Sequence, residues 1–145
     1  MPQFFDSDVL LYLMSSEPDK ADGVAALLAK GGLISVQVLN EVANVATRKF
    51  GMSWKETRAF LEHVRSLCSV VPLTTDTHDA AVALAQQHRL AFYDAVIVSA
   101  ALQTGCRTLW SEDMQHGRRF GARRSSSLTV LNPFVVSKPA GKGHS

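Results

Sequence analysis

The chain has only two cysteines in 145 residues, Cys68 and Cys106, each in an apolar setting. Two thiols without framework spacing argue against a disulfide scaffold; they read as small core residues of a protein in a reducing, cytoplasmic compartment. No apolar run approaches the roughly 20 residues that span a bilayer, and no basic segment followed by an apolar one opens the chain, so neither a membrane anchor nor a signal peptide is expected. The histidines lack metal-ligand spacing. No glycine-rich loop follows a strand and no Ser–His–acid set stands out, which argues against a phosphate-loop enzyme and a serine hydrolase. Without internal repeats or a linker, the chain reads as a single domain over residues 1–136 with a disordered tail at 137–145. Acids are missing from the C-terminal end: all thirteen lie at or before Asp113, and beyond it come only Arg118, Arg119, Arg123, Arg124, Lys138 and Lys142. The net charge of +2 therefore hides an acidic body and a basic end, a distribution that suits a polyanionic partner.

Hydrophobic residues make up 46% of the chain, enough for a proper core. Short apolar runs at 3–6, 33–36, 69–73, 107–111 and 128–131 read as strands. Between them the periodicity predicts helices over 7–14, from the Ser16-Glu17-Pro18-Asp19 start to Gly31-Gly32, over 37–50, from the Ser53/Glu56 capping box to about 67, from 75 or 76, and from Tyr93-Asp94 to Gly105. The stretch 112–127 reads as a long polar loop. Strands alternating with helices imply an α/β fold: a parallel sheet with helices on both faces.

This pattern brings acids from distant segments toward one sheet edge. Asp6 ends the first strand, Glu41 lies early in the helix after the second, Asp94 opens the helix after Tyr93, and Glu112 and Asp113 follow the strand ending at Ser111. In an open α/β sheet that edge is where ligands bind. Each residue alone has a plainer explanation. Asp6 could close an Asx-turn, Glu41 could share a solvated stripe with Asn44 and Arg48, Asp94 could be an N-cap, and Glu112 and Asp113 could simply favour a loop. Together, the carboxylates would repel one another unless a cation joined them, and hard divalent ions take oxygen ligands. Asp6-Ser7-Asp8 also has the bare spacing of a covalent aspartyl nucleophile, but no downstream Lys sits convincingly at a strand end.

The segments Phe5-Asp6-Ser7-Asp8-Val9-Leu10-Leu11-Tyr12, Ile34-Ser35-Val36-Gln37-Val38-Leu39-Asn40-Glu41, Tyr93-Asp94-Ala95 and Leu109-Trp110-Ser111-Glu112-Asp113-Met114, in this order and spacing, resemble PIN-domain ribonucleases of the VapC type, the toxins of bacterial toxin–antitoxin pairs. The resemblance implies a PIN-like three-layer fold with a five-stranded parallel sheet flanked by helices, and a homodimer. It also implies Mg²⁺-dependent RNA cleavage, with Mn²⁺ as a substitute and tRNA or rRNA as substrate, restrained by a cognate antitoxin. Asp6, Glu41 and Asp94 match the family's three invariant acids; Asp113 best matches the fourth, with Glu112 as rival. Asp6, Asp94 and Asp113 are then the metal ligands, and Glu41 a further ligand or the group that orients water. Ser7 and Ser111 match hydroxyl positions beside the acids and, with Arg118 and Arg119, are candidates for substrate contact. Asp8 departs from the pattern, standing where the family often has Asn. The alternative is a PIN-like module that binds metal or RNA without cleaving.

Overall fold

The computed structural model describes residues 2–121 and 127–135. Arg123, Arg124 and the expected tail at 137–145 lie outside the described residues. The chain runs β1 (Gln3–Phe5), α1 (Ser7–Leu10) and a 3₁₀ turn (Leu11–Met14), then α2 (Pro18–Leu28), β2 (Leu33–Ser35), α3 (Val36–Arg48) and α4 (Trp54–Leu67). It continues through β3 (Ser69–Val71), α5 (Thr75–His88), α6 (Phe92–Gln103), β4 (Thr108–Trp110), β5 (Arg119–Phe120) and β6 (Leu128–Leu131).

The sheet order is β3-β2-β1-β4-β6-β5. The first five strands in that order pair in parallel, and β5 pairs antiparallel with β6. The expected five parallel strands are all present. The sixth strand corrects the reading of 112–127 as plain loop. Its two residues contribute a row of backbone bonds to the edge of β6, and Phe120 is buried there with its ring edge-on to His88. So short a strand in polar surroundings leaves no alternating pattern to read.

Phe4 and Phe5 are adjacent on β1 and both fully buried. Successive strand residues point to opposite faces, so both faces of the sheet are covered, as an all-helix crossover topology requires. Among the described residues six α-helices supply that cover, with α3 packed on α4 and α5 on α6. From Ala95 to Ala101 every residue of α6 is buried, so this helix runs through the interior with no solvent stripe. Its small residues allow α5 to approach closely, and Ser99 Oγ donates to the Thr77 carbonyl at 2.9 Å.

Local signals fixed several helix starts. Ser53 and Glu56 form the expected capping box, and Thr74 and Thr77 form a second one before α5. Two expectations shift. The 7–14 helix divides into one α-turn and a 3₁₀ turn. The α2 N-cap falls on Glu17 rather than Ser16, because Ser15 Oγ takes the Glu17 N–H at 2.9 Å.

Gly32 marks a close approach. A Cβ there would lie 2.7 and 2.8 Å from ring atoms of the buried Phe5. Gly32→Ala is expected to destabilise the fold by about 1–3 kcal/mol through overpacking, read as a lower midpoint in urea unfolding. An unchanged midpoint would show that the Phe5 ring shifts freely.

Candidate functional site

The chain leaves β1 toward β2 and β3 on one side, then returns to place β4 on the other side of β1. Ligands bind at this kind of switch point, beyond the carboxyl ends of the strands. Asp6 follows β1 there and Ser111 follows β4, joined through the Asp6 N–H to the Trp110 carbonyl at 2.9 Å.

Asp6 is only 3% exposed, and both its oxygens are held. Oδ1 accepts the Ser7 N–H at 2.7 Å and Oδ2 accepts Ser111 Oγ at 2.8 Å. From Asp6 a hydrogen-bonded chain crosses the site. Ser7 Oγ lies 3.4 Å from Asp6 Oδ1 and donates to Glu41 Oε1 at 2.9 Å. Gln37 Nε2 donates to Glu41 Oε2 at 3.1 Å and to the Tyr93 carbonyl at 3.0 Å, next to Asp94. Glu41 is therefore held from both sides and is not simply part of a solvated stripe. Asp94 is the third residue of α6, whose N-cap is Ala91 with no side-chain cap. Its carboxylate is not spent on capping, and the helix dipole favours negative charge in the first turn.

The electrostatics mark the convergence. Burial drives the Asp6 pKa from 3.8 to about 7; hydrogen bonds from Ser111 and Ser7 oppose this, and repulsion from Glu41 and Asp94 adds to it. The Asp94 pKa is raised by burial and then by Asp113 and Glu41. Asp8 is pushed up to about 8, first by burial and then by the charges of Asp6 and Asp113. Asp113 itself is exposed. Glu112 is engaged elsewhere: Tyr12 Oη donates to its two carboxylate oxygens at 3.0 and 3.1 Å. Burial first, and then this acceptor, push the Tyr12 hydroxyl to about 12, so it remains a donor.

The structure gives the other sequence candidates different work. Ser111 is fully buried and cannot touch a substrate; it orients Asp6. Ser7 orients Glu41. Arg118 Nη2 donates to the His88 carbonyl at 2.8 Å with its guanidinium over the Phe120 ring, and Arg119 Nη2 donates to Ser127 Oγ at 3.1 Å. Arg119 is in register with Thr129, and Thr129 with Thr108 at the start of β4, the end of the strand away from Ser111. The structure therefore does not bring these arginines to the acids. Sequence reasoning missed Gln37, although its i,i+4 spacing to Glu41 was a usable signal, and it missed Tyr12, whose partner lies 100 residues away.

Among the described residues, no three His, Cys, Asp or Glu side chains stand close enough to form a finished metal cage. Mg²⁺ does not need one, since it keeps several waters and takes one or two carboxylates plus substrate phosphate. The donor set here is all carboxylate oxygen, and Asp8 Oδ1 is buried with no partner, so these residues fit a hard divalent ion. A groove of about 820 Å³ opens beside them, its lining including Asp8, Tyr12, Lys49, Phe50, Glu112 and Asp113.

Among solved structures, the chain is similar to one from a toxin–antitoxin complex of Klebsiella pneumoniae, with TM-score 0.64, 20% identity, and coverage of 92% of this chain and 99% of that one. It is also similar to VapC20 of Mycobacterium tuberculosis, a sarcin–ricin loop cleaving toxin, with TM-score 0.63, 18% identity, and coverage of 77% and 89%. A VapBC2 complex from Rickettsia felis, bound to a DNA fragment of its promoter, gives TM-score 0.60, 21% identity, and coverage of 78% and 89%. No curated protein matches in sequence. The family model of the PIN domain matches residues 4–119, most of the chain, and the chain belongs to that family.

Proposed function

We propose that this protein is a divalent-metal-dependent endoribonuclease of the VapC type, the toxin of a toxin–antitoxin pair. One observation carries the reading. A continuous hydrogen-bonded chain runs from Ser111 to Asp6, on through the N–H and then the hydroxyl of Ser7 to Glu41, and so to Gln37 and the Tyr93 carbonyl, at the sheet's switch point. It ties side chains from three separate segments, and the backbone of a fourth at Tyr93, around one strongly acidic spot.

Asp6, Asp94 and Asp113 would hold Mg²⁺, or Mn²⁺ in its place. A divalent ion at such a site lowers the pKa of bound water and offsets charge on the phosphate under attack. The chain's own residues do the rest. Ser111 and Ser7 orient Asp6 and favour its ionised form, against the effect of burial, by giving its oxygens hydrogen bonds. Glu41, gripped by Ser7 and Gln37, is fixed in place to orient the attacking water and accept its proton. The RNA strand would lie along the groove, with Phe50, 52% exposed, as a stacking surface and Lys49 beside a phosphate. Arg118 and Arg119 would meet phosphates far from the cleaved bond, adding salt-sensitive affinity. Sequence choice then comes from unpaired bases in tRNA or rRNA. Two of the similar structures are toxin–antitoxin complexes, which supports an antitoxin as partner; a second copy of this chain is the other partner proposed.

The test is RNA cleavage with Mg²⁺, comparing wild type with Asp94→Ala. The variant is expected to lose about 10²–10³-fold in rate. Cleavage by the variant at the wild-type rate would end the nuclease reading. Metal and RNA binding by a wild type that never cleaves would point to a binding module.

A further inference from the structure

Asp8 grips the turn after β4. Its Oδ2 accepts the N–H of Glu112 at 3.1 Å and of Asp113 at 2.9 Å. Tyr12 Oη holds the Glu112 carboxylate from the other side. The Tyr12 ring is itself fixed, edge-on to Phe134 with Lys20 Nζ above both rings. The turn is therefore tied at two backbone N–H groups and one side chain, while the Asp113 carboxylate stays exposed beside Asp94 and Asp8.

We propose that Asp8, assisted by Tyr12, is a positioning residue that orients the 112–113 turn so that Asp113, and not Glu112, becomes the fourth acid of the site. This rests on the metal-dependent reading above. The geometry asks for an sp² oxygen at position 8, because two converging N–H groups need one shared acceptor. A charge is not required, since an amide oxygen accepts both bonds in the same geometry, though each is weaker. Asp8→Asn therefore keeps the grip, while Asp8→Ala abolishes it and leaves two N–H groups unpaired. The rival role, direct ligation through the unpartnered Oδ1, predicts that Asn fails as badly as Ala.

The experiment uses the full chain and Mn²⁺ alone as probe. Mn²⁺ affinity is measured by calorimetry, and amide exchange at Glu112 and Asp113 by NMR. The variants are Asp8→Asn, Asp8→Ala, Asp113→Asn and the Asp8→Ala/Asp113→Asn double. Asp8→Ala is expected to weaken Mn²⁺ binding about tenfold, the usual cost of losing a residue that orients a ligand, and to speed exchange at both amides. Asp8→Asn stays within about twofold of wild type. In the Asp113→Asn background, Asp8→Ala has no further effect on affinity, because the two act through one path. Loss by Asp8→Asn equal to that by Asp8→Ala would overturn the proposal, as would additive losses in the double variant. If Asp8→Ala does not fold, Tyr12→Phe replaces it, with a smaller loss of affinity and faster exchange at the same amides; unchanged values there would also overturn the proposal. RNA cleavage is followed in parallel. A wild type that binds Mn²⁺ with these dependences but cuts no RNA sinks the nuclease and leaves the positioning role intact.

Discussion

Asp6→Asn is expected to lower RNA cleavage by about 10³-fold and at the same time to raise the melting temperature of the metal-free protein at pH 8. Asp6 is 3% exposed, and burial holds its pKa near 7, so at pH 8 the folded protein carries a buried charge that it would otherwise shed. An amide of the same shape removes that cost. Its oxygen still accepts the Ser7 N–H, and the Ser111 hydroxyl can turn to accept from the amide group. Asp6→Ala should lose the same activity without gaining stability, because it strands the two donors and leaves a void. Cleavage assays paired with thermal melts of wild type and both variants check this. Full activity in Asp6→Asn would remove Asp6 from the chemistry. A lower melting temperature in Asp6→Asn would show that its charge is well compensated without metal.

The second large effect concerns pH and metal. In the unfolded chain the Asp6 carboxyl titrates near 3.8, and in the folded metal-free protein near 7. Between those values the folded state holds a proton that the unfolded state has released. Stability therefore falls as pH rises, by about 1.4 kcal/mol per pH unit for one such group. Above about 7 both states are ionised at this site and the loss is complete. Asp8 acts in the same direction up to about 8. From Asp6 alone the metal-free protein should therefore melt roughly 5–10 °C lower at pH 8 than at pH 5, and Asp8 adds to that difference. Mg²⁺ should recover most of this at pH 8 and little at pH 5, since it binds the folded, ionised site and stabilises by mass action. Melts across pH with EDTA or Mg²⁺ check this; a metal-free protein that grows more stable from pH 5 to 8 would contradict it.

Asp6 was legible because its position depends on local pattern: aromatics of a buried strand run directly into the first turn of a helix. Asp94 was legible for a related reason, with a helix of small apolar residues beginning just before it. Glu41 was harder to read, since spacing alone put it on a solvated stripe; its carboxylate is turned by Ser7, 34 residues earlier, and by Gln37, one helical turn before it. The contacts that set Glu112 and Asp113 apart come from Tyr12 and Asp8, 100 and 105 positions away, and no local periodicity encodes such a contact. The placement of the arginines was not legible, for the opposite reason. Charge clustering along the chain suggested a surface near the acids, but the antiparallel β5 turns Arg118 and Arg119 back along the sheet, into contacts with His88 and Ser127.

The bond from Ser111 to Asp6 joins residues 105 positions apart, across two neighbouring strands. A nascent chain on the ribosome therefore lacks this contact until more than three-quarters of its length has been made and β4 has docked beside β1. If the proposed nuclease reading holds, synthesis and activity would thereby be separated in time, and a partner that captures the finished fold would meet it just as the acidic site first assembles.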